Sequence, residues 1–422
     1  MKVPHAPLEG AVAAPVRASR YGNPFAPLVT APNFRRFWIG QTVSLVGSWM
    51  QSMAAGWLAL ELSGSAFIVG LVASVGALPI VVLSFQAGVI ADRVDRLRLL
   101  RWAQAGLLVQ AALLWGLTAT GRLTVPLLIG LAAIAGAINA FEVPARQSLI
   151  IKLVGPRDLQ GAIALNSSGF NLARVVGPAI GAVVIGRLGI AWCFALNALS
   201  FVAVLIGLFR IRLDGGAIQS ETGKPGGVID GLRYLWERRV LRALVGLTTV
   251  FAVFCAPFLA LMPVVARERL GLGAGGYGLL LTAVGVGGLA AALFLAARAR
   301  SVRRGRLLTF AAIAFPTLLV AFATVRAAWA ACLVLLGVGA TMIWCNALSN
   351  GLLQSNVADA YRGRAMAVQS LAVMGLAQVA GAFAAGVLAE WVGVAWAIGG
   401  TAVAALAFAV VLLWRVPEVR RL

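Results

Sequence analysis

The feature that most constrains the fold of this chain is a series of apolar stretches that recurs from Phe37 to Trp414. Each stretch has about 18 residues or more, which is the length that crosses a bilayer as a helix, and in lipid only a helix satisfies its own backbone hydrogen bonds. The chain is 61% hydrophobic and 12% charged, with a mean hydropathy of +0.93. Soluble domains are about half apolar and about a quarter charged, so this pattern excludes a soluble enzyme with one membrane anchor.

Charged residues, proline and glycine divide the apolar stretches into twelve predicted spans. They cover residues 37–60, 67–90, 99–120, 125–146, 162–186, 190–210, 241–266, 277–298, 306–325, 328–353, 366–389 and 393–414. Alternate loops carry most of the arginines, whereas the other loops hold only Arg122, Arg187, Arg267, Arg269 and Arg326. By the positive-inside rule the arginine-rich side is cytoplasmic. We therefore predict a multi-pass protein of the bacterial cytoplasmic (inner) membrane with both termini in the cytoplasm.

Composition also predicts the domain organisation of this all-α membrane protein. The fold class is twelve transmembrane helices in two pseudo-symmetric six-helix bundles, with a glycine-rich linker between them. The predicted parts are a flexible cytoplasmic tail (1–32), the first bundle (33–211), a cytoplasmic linker (212–240), the second bundle (241–415) and a second cytoplasmic tail (416–422). The first tail is rich in proline and has no apolar core long enough for a signal peptide.

The two halves of the sequence resemble each other. At an offset of about 204 residues, Gly177-Pro178-Ala179 falls on Gly381-Ala382-Phe383, and Gly189 falls on Gly393. At about 208 residues, Gly70 falls on Gly278. Parallel six-span repeats around a central site are a transporter architecture in which the halves rock against each other. The repeat therefore favours alternating access over a scaffold role.

The loop after the second predicted span carries a charged motif. It runs Gly88-Val-Ile-Ala-Asp92-Arg93-Val-Asp-Arg96-Leu-Arg98. This resembles the signature loop of the major facilitator superfamily of transporters, with every charged position present. The resemblance implies a conformational-switch loop in which Gly88 permits close helix packing and Asp92 accepts hydrogen bonds from a helix N-terminus or an arginine. We expect Arg146 to be the ionic partner of Asp92; the alternative is that the arginines only set the topology.

A second motif lies in the fifth predicted span. Gly169 and the segment Gly177-Pro178-Ala-Ile-Gly181 resemble the glycine-proline element of antiporters in the same superfamily, although Ala182 replaces one of its glycines. The segment from Phe141 to Gln147 resembles the efflux subgroup that includes enterobactin exporters. The resemblance implies export, whereas the basic residue that many drug–proton antiporters carry inside span four is missing here.

Charged and polar side chains at bilayer depth are functional candidates, because lipid does not solvate them. Arg174 lies near the middle of span five and is expected to bind an anionic substrate group or a carboxylate, or else to form a structural ion pair. Glu142 precedes Arg146 by one helical turn, so it is either a proton-coupling carboxylate or simply the partner of that arginine. Further polar residues either line a substrate cavity or join helices: Gln41, Gln51, Trp57, Asn139, Asn166, Asn171, Asn346 and Asn350.

These patterns predict a secondary active exporter of an amphipathic small molecule, siderophore-like or drug-like, that works as a monomer and exchanges its substrate for protons. The alternatives are a lipid or lysophospholipid flippase of the same fold and an intramembrane enzyme. The chain contains no P-loop, no metalloprotease motif and no nucleophile elbow. The four cysteines lack ligand spacing, so no metal and no cofactor is expected. Nucleic acid is not an expected partner, because the net charge of +21 lies in short clusters between spans.

Overall fold

The chain forms twelve long helices in a computed structural model that describes residues 25–155, 158–211, 228–298 and 302–422. We number them α1 (Pro32–Ser63), α2 (Ala66–Arg93), α3 (Arg96–Ala119), α4 (Val125–Leu153), α5 (Leu159–Leu188), α6 (Ala191–Phe209), α7 (Arg239–Arg269), α8 (Ala274–Ala297), α9 (Arg304–Thr324), α10 (Ala328–Asn356), α11 (Tyr361–Val392) and α12 (Val394–Arg415). Three short helices lie outside this set, at Ala26–Thr30, Val228–Glu237 and Glu418–Arg421. The described residues contain no strand, so the prediction of an all-α protein is confirmed.

Eleven of the twelve helices are long and apolar enough to cross a membrane, counted over the described residues. The remaining helix, α1, has 32 residues and so is also long enough. Its hydropathy is lower because it carries polar side chains such as Gln41, Ser44 and Gln51, of which Gln41 and Ser44 are buried in the protein. A helix whose polar face is buried against its neighbours can still span the bilayer, and the twelve-span fold class is therefore retained.

The helices pack as two six-helix bundles with the same internal arrangement. In the first bundle α1 packs on α5 and α6, α2 on α4, and α3 on α4 and α6. In the second bundle α7 packs on α11 and α12, α8 on α10, and α9 on α10 and α12. The helix pairs in contact are therefore equivalent in the two bundles: adding six to both helix numbers of a pair in the first bundle gives the corresponding pair in the second. The bundles meet where α2 contacts α11 and where α5 contacts α8, and these two contacts are related by the same rule.

Glycines at equivalent positions confirm the internal repeat. Gly189 and Gly393 join α5 to α6 and α11 to α12, and both adopt a positive φ, of 93° and 83°. Gly177 approaches α1 so closely that an added Cβ would lie 2.8 Å from the carbonyl oxygen of Val46. The equivalent Gly381 approaches α7 in the same way, with an added Cβ 3.0 Å from the carbonyl oxygen of Val253. Both halves thus use a glycine for the contact between their first and fifth helices.

The two ends of the molecule differ in charge. We call the end that carries the loops α1–α2, α3–α4, α5–α6, α7–α8, α9–α10 and α11–α12 the distal end, and the opposite end, where the described chain begins and ends, the proximal end. The few arginines at the distal end are those that the sequence analysis assigned to the sparse side: Arg122, Arg187, Arg267, Arg269 and Arg326. The structure therefore keeps the predicted alternation of charge between successive loops.

Several helices are longer than the predicted spans, because helices continue past the apolar core of a bilayer. α4 ends at Leu153 rather than at residue 146, and α11 begins at Tyr361 rather than at residue 366. Helices α7 and α11 also contain π-helical turns, at Phe251–Cys255, Val265–Arg269 and Leu371–Gly381. Such turns are rare and occur often at functional sites.

The predicted linker and tails are partly described. Within the linker, the helix Val228–Glu237 rests on the start of α11, where Tyr234 stacks on Tyr361 with 4.2 Å between ring centroids. Residues 212–227 and 1–24 lie outside the described part of the chain. The final segment, predicted only as a tail, forms the short helix Glu418–Arg421, whose Val419 packs against Gly305 at the start of α9.

Candidate functional site

The contact between α2 and α11 is very close at the distal end. A Cβ added at Gly70 would lie 2.6 Å from the carbonyl oxygen of Ala382 and 2.9 Å from the Cα of Gly386. One turn further along α2, the hydroxyl of Ser74 donates a hydrogen bond of 2.7 Å to the carbonyl oxygen of Val379. Nothing larger than glycine fits at Gly70 without moving one bundle relative to the other.

The contact between α5 and α8 repeats this geometry. A Cβ added at Gly278 would lie 2.6 Å from the Cβ of Ala182 and 2.8 Å from the carbonyl oxygen of Pro178. Pro178 and Ala182 are the repeat equivalents of Ala382 and Gly386. Nearer the middle of the helices, a Cβ added at Gly285 would lie 2.9 Å from the side chain of Val175 and 3.4 Å from the carbonyl oxygen of Arg174. Together, the contacts of Gly70 and Gly278 form what we call the distal interface.

The glycine-proline element therefore serves two contacts. Gly177 faces α1, where its added Cβ would meet the Cβ of Trp49 at 2.6 Å, and Gly181 faces Met50 and Met53 of the same helix. Pro178 and Ala182 face Gly278 across the boundary between bundles. Gly169 lies closer to the proximal end, against Thr42 and the indole of Trp38. This element joins α5 both to its own bundle and to the other one.

A carboxylate also bridges the bundles at the distal end. Oε2 of Glu390, near the end of α11, accepts a hydrogen bond of 2.9 Å from the hydroxyl of Ser65 and one of 3.1 Å from the backbone N–H of Phe67. Ser65 is the N-cap residue of α2, and Phe67 is in its first turn. A negative charge at a helix N-terminus is stabilising, so Glu390 ties the start of α2 to α11 while the distal interface is closed.

Replacing Glu390 by alanine is expected to make the distal end open more often, by roughly two- to fivefold, because one exposed charge-assisted contact of modest strength is lost. The measurement is the alkylation rate of a cysteine introduced at Ser74, which faces α11, on a chain whose four native cysteines are replaced by alanine. Glu390→Gln, whose amide oxygen still accepts the same two hydrogen bonds, is the matched control and should label at a rate between those of the wild type and Glu390→Ala. Equal rates in all three proteins would show that this carboxylate does not hold the distal end closed.

Arg174 lies midway along α5, where that helix contacts α8. Its side chain is partly buried, and its Nη2 atom is buried without a hydrogen-bond partner among the described residues. A guanidinium at this depth is costly unless it is paired or hydrated. Its depth near the middle of a membrane stays a prediction. A cation whose Nη2 has no partner among the described residues, at the boundary between bundles, is suited to binding an anionic group.

Glu142 and Arg146 form a buried ion pair within α4. Nε of Arg146 donates to Oε1 of Glu142 at 2.9 Å, and the two side chains expose only 5% and 11% of their surface. Nε2 of Gln104, from α3, donates to the same oxygen at 3.3 Å. Gln104 itself is buried, and its Oε1 has no partner among the described residues. The pair is therefore sealed between α3 and α4, and a change in the charge of Glu142 would leave Arg146 unbalanced.

The signature loop is only partly described. The side chains of Asp92 and Arg93 lie outside the described set, so the pairing of Asp92 with Arg146 stays a prediction. Among the described residues, Arg146 bonds to Glu142. A Cβ added at Gly88 would meet no described atom within 4 Å. Arg96 begins α3, and Arg98 is exposed in its first turn. Asp95 caps this helix by accepting a hydrogen bond of 2.8 Å from the backbone N–H of Arg98.

One polar candidate from the sequence belongs to a buried cluster in the first bundle. Nε2 of Gln51 donates to Gln110 at 3.0 Å, and Nδ2 of Asn197 donates to Oε1 of Gln51 at 2.8 Å. Nε2 of Gln110 in turn donates to the carbonyl oxygen of Leu131 at 3.2 Å. The cluster connects α1, α3, α4 and α6, so Gln51 joins helices as well as facing the interior. Gly47 of α1 leaves room for the Asn197 side chain, because an added Cβ there would clash with Asn197.

The remaining polar candidates lie in different surroundings. Gln41 is buried, and its Oε1 has no partner among the described residues, whereas Asn139 and Asn171 donate to carbonyl oxygens one turn earlier in their own helices. Asn166 is partly buried on α5. On α10, Asn346 is exposed, and Asn350 accepts a hydrogen bond of 2.9 Å from Gln369 of α11. Trp57 stacks on Tyr277 across the distal boundary, with 6.1 Å between centroids.

Five residues of this site were not identified from the sequence: Gln104, Gln110, Asn197, Tyr277 and Glu390. The first three are single amides inside apolar spans, which is a visible signal, but their pairing depends on which helices become neighbours. Glu390 lies at a span boundary, where the sequence does not distinguish a solvated carboxylate from one that contacts a neighbouring helix. No group of three or more potential metal ligands occurs among the described residues.

Comparison with protein families gives a match over nearly the whole chain. A family model described as "Transmembrane secretion effector" matches residues 22–421. A multidrug efflux pump, Tap, from Mycolicibacterium fortuitum is 28% identical over 277 residues, which is 62% of this chain and 66% of the pump. A staphyloferrin A transporter from Staphylococcus aureus (strain NCTC 8325 / PS 47) is 25% identical over 342 residues, 79% of this chain and 84% of that transporter. The chain thus spans just under two thirds of the first relative.

Comparison with solved structures supports the same architecture. The fold superposes with a TM-score of 0.72 on a bacterial homologue of the human lysosomal transporter Spinster, solved in an inward-facing and unoccupied conformation. The superposition covers 92% of this chain and 97% of that one at 12% sequence identity. A similarity at this low sequence identity shows that the fold is shared and shows nothing about the substrate. The resemblance to the major facilitator fold, expected from the signature loop, is confirmed.

Proposed function

Because the chain belongs to the transmembrane secretion effector family of the major facilitator superfamily, and is therefore a transporter rather than an enzyme, we propose that it is a secondary active exporter. It moves an amphipathic small molecule, siderophore-like or drug-like, out across the bacterial cytoplasmic membrane. The driving reaction is exchange for protons, and the functional unit is a monomer. Two relatives, a multidrug efflux pump and a staphyloferrin A transporter, support this substrate class.

The observation that carries the proposal is the pair of symmetry-related contacts at the distal interface. Gly70 of α2 packs against α11, and Gly278 of α8 packs against α5, and these contacts bring the bundles together at one end of the helices. Two rigid bundles that meet through glycines can separate at this end and close at the other with little internal rearrangement. This geometry supports alternating access about a site in the middle of the helices, where Arg174 lies.

The arginine distribution supports an orientation for this cycle. With the arginine-rich proximal end in the cytoplasm, the closed distal interface would face outward, which leaves the cytoplasmic end as the side from which substrate would enter. Exposed polar side chains on α5 and α10, such as Ser167, Ser168 and Asn346, fit a water-filled entrance at this end. An exporter needs this inward-facing form in order to load its cargo.

Arg174 supports recognition of an anionic group on the substrate. Its Nη2 is buried with no hydrogen-bond partner among the described residues, and guanidinium groups bind carboxylates through paired charge-assisted hydrogen bonds. The backbone of Arg174 lies at the boundary of α5 with α8, where its carbonyl oxygen is 3.4 Å from a Cβ added at Gly285, so a ligand bound by its side chain would lie close to both bundles. Substrate bound at this point would therefore change the balance between inward-facing and outward-facing forms.

Glu142 is the proposed coupling carboxylate. When it is ionised, it balances Arg146, and the pair is sealed by Gln104. When Glu142 takes up a proton, the charge of Arg146 is no longer compensated, and a buried unpaired cation is costly. The arrangement of α3 against α4 then has two favoured forms, one for each protonation state. Proton uptake from outside and release to the cytoplasm would drive the two bundles between their conformations.

The test is the flux of fluorescent amphipathic dyes, one anionic and one cationic, in proteoliposomes with and without an imposed pH gradient. We expect the gradient to accelerate wild-type flux about tenfold or more and Glu142→Gln to lose this acceleration while still binding dye. Glu61→Gln, which changes an exposed carboxylate at the distal end of α1, is the matched control and should keep it.

Two results would contradict proton exchange through Glu142. If the gradient drives flux equally in wild type and Glu142→Gln, another group carries the proton. If flux in the wild type does not respond to the gradient, the protein is a uniporter or a lipid flippase of the same fold. In the latter case, labelled lysophospholipid, tested in the same vesicles, would move between leaflets faster than in protein-free controls.

A further inference from the structure

A cavity of about 970 Å³ lies at the proximal end of the second bundle. Its wall is formed by the segment before α9, the first turn of α9, the last turn of α10 and the C-terminal helix Glu418–Arg421. Two polar side chains from α10, Ser355 and Asn356, also line it. The cavity belongs neither to the distal interface nor to the surroundings of Arg174, and the transport proposal assigns it no role.

Five arginines gather around this cavity: Arg303, Arg304, Arg306, Arg420 and Arg421. They come from two parts of the chain that are more than a hundred residues apart, and no acidic side chain lines the cavity among the described residues. Glu418, the acid closest in sequence, is directed instead to Arg239, at 3.8 Å. The five guanidinium groups therefore share one cavity without a lining carboxylate side chain among the described residues. Like charges held together in this way repel each other, so an anionic ligand would be stabilising.

The start of α9 adds to the positive potential of the cavity. Arg303 is its N-cap residue, no side chain caps the helix, and its first turn contains no acidic residue. The first N–H groups of a helix have no partner within the helix and carry a partial positive charge, which makes them binding sites for phosphate and other anions. Here these groups coincide with the arginine cluster, so two independent sources of positive potential act on the same space.

A second, smaller cavity of about 160 Å³ adjoins the first. It is lined by Leu295 of α8, by Ala347 and Leu348 of α10, and by Val302 and Arg304, which it shares with the larger cavity. Its other lining side chains are all apolar. The combined space therefore has an arginine-rich mouth that continues into an apolar slot between two membrane helices.

We propose that this composite pocket, defined by Arg303, Arg304, Arg306, Arg420 and Arg421 together with the apolar slot, binds the phosphate headgroup of an anionic phospholipid. Arginine binds phosphate oxygens through two parallel hydrogen bonds, and basic pockets between membrane helices at one face of the bilayer suit lipid headgroups. A soluble phosphate offers the same headgroup chemistry, but it would leave the apolar slot empty. The slot and the position of the pocket at the proximal membrane boundary favour the lipid.

The test uses the purified full-length protein in detergent. Retention of phosphatidylglycerol, phosphatidylcholine and inorganic phosphate is measured by native mass spectrometry and by the shift in melting temperature. The double variant Arg306→Gln/Arg420→Gln removes two charges from the pocket. Its control, Arg122→Gln/Arg326→Gln, removes two exposed charges from the distal end. The unliganded melting temperatures of wild type and variants establish that each protein is folded before lipid is added.

We expect wild type and the control variant to retain phosphatidylglycerol in preference to phosphatidylcholine. The pocket variant should bind phosphatidylglycerol at least about tenfold more weakly than wild type does. Inorganic phosphate at millimolar concentration should neither raise the melting temperature nor displace the lipid. Equal retention by the two double variants would overturn the proposal. So would a phosphate-induced stabilisation that competes with phosphatidylglycerol, because the ligand would then be a soluble anion.

Discussion

Gly278→Leu is expected to lower the transport rate about a hundredfold or more while leaving each bundle folded. A Cβ at this position already lies 2.6 Å from Ala182 and 2.8 Å from the carbonyl oxygen of Pro178, and a leucine adds three further carbon atoms in the same direction. Overpacking of this kind costs about 1–3 kcal/mol or more within a rigid core. Here the strain can be relieved by separating the bundles, so the variant should favour the form with an open distal end.

The conformational part of this prediction is measured as the distance between spin labels at Thr120→Cys and Thr324→Cys, on a chain whose native cysteines are replaced by alanine. These exposed positions lie at the distal ends of α3 and α9, one in each bundle. The distance should increase in Gly278→Leu and in the symmetry-related Gly70→Leu. The control is Gly400→Leu, because a Cβ at Gly400 meets no described atom within 4 Å. Wild-type flux in Gly278→Leu would contradict the assignment of the distal interface as a moving contact.

The fold was predictable from sequence because its main determinant is local. Each span is a continuous apolar run, and a bilayer requires such a run to be a helix, so the number and order of the helices follow without any knowledge of their packing. The repeat was also visible, since Gly177 and Gly381, or Gly189 and Gly393, recur at one spacing. The helix ends were less predictable, because α4 and α11 continue into polar sequence beyond the apolar run.

The site was less predictable, because it depends on contacts between distant parts of the chain. Arg174 and Glu142 stand out as charges inside apolar runs, and the pairing of Glu142 with Arg146 follows from their spacing on one helix face. By contrast, Glu390 and Ser65 are far apart in sequence, and only the approach of α11 to α2 brings them within 2.9 Å. The cluster of Gln51, Gln110 and Asn197 likewise needs three helices to meet.

The two symmetry-related contacts of the distal interface differ in one residue. Ala182 departs from the antiporter element, where a glycine is usual. In the structure Ala182 faces Gly278, and its repeat equivalent, Gly386, faces Gly70. One contact thus pairs alanine with glycine, and the other pairs glycine with glycine. We infer that the α2–α11 contact is the closer of the two, which agrees with its additional hydrogen bonds from Ser74 and to Glu390.

Arg174→Met is expected to lower transport of an anionic dye about a hundredfold while leaving the melting temperature unchanged or raising it by a few degrees. Methionine keeps much of the apolar stem but removes a guanidinium whose Nη2 is buried without a partner among the described residues. Removing an uncompensated charge from the interior relieves a desolvation cost. If Arg174 served mainly in packing, its replacement would instead lower the melting temperature, and transport would fall only as a result of that lost stability.

Arg174→Lys tests whether the positive charge at this position is sufficient or whether the planar shape of the guanidinium is also needed. Lysine keeps the positive charge but presents it as a point, without the planar pair of donors that matches a carboxylate. We expect this variant to transport the anionic dye at a rate between those of the wild type and Arg174→Met, with a raised KM, while transport of a cationic dye changes little in either variant. If Arg174→Met instead lowers the melting temperature and impairs both dyes equally, then Arg174 is a structural cation between α5 and α8, and the anionic group of the substrate must be bound elsewhere.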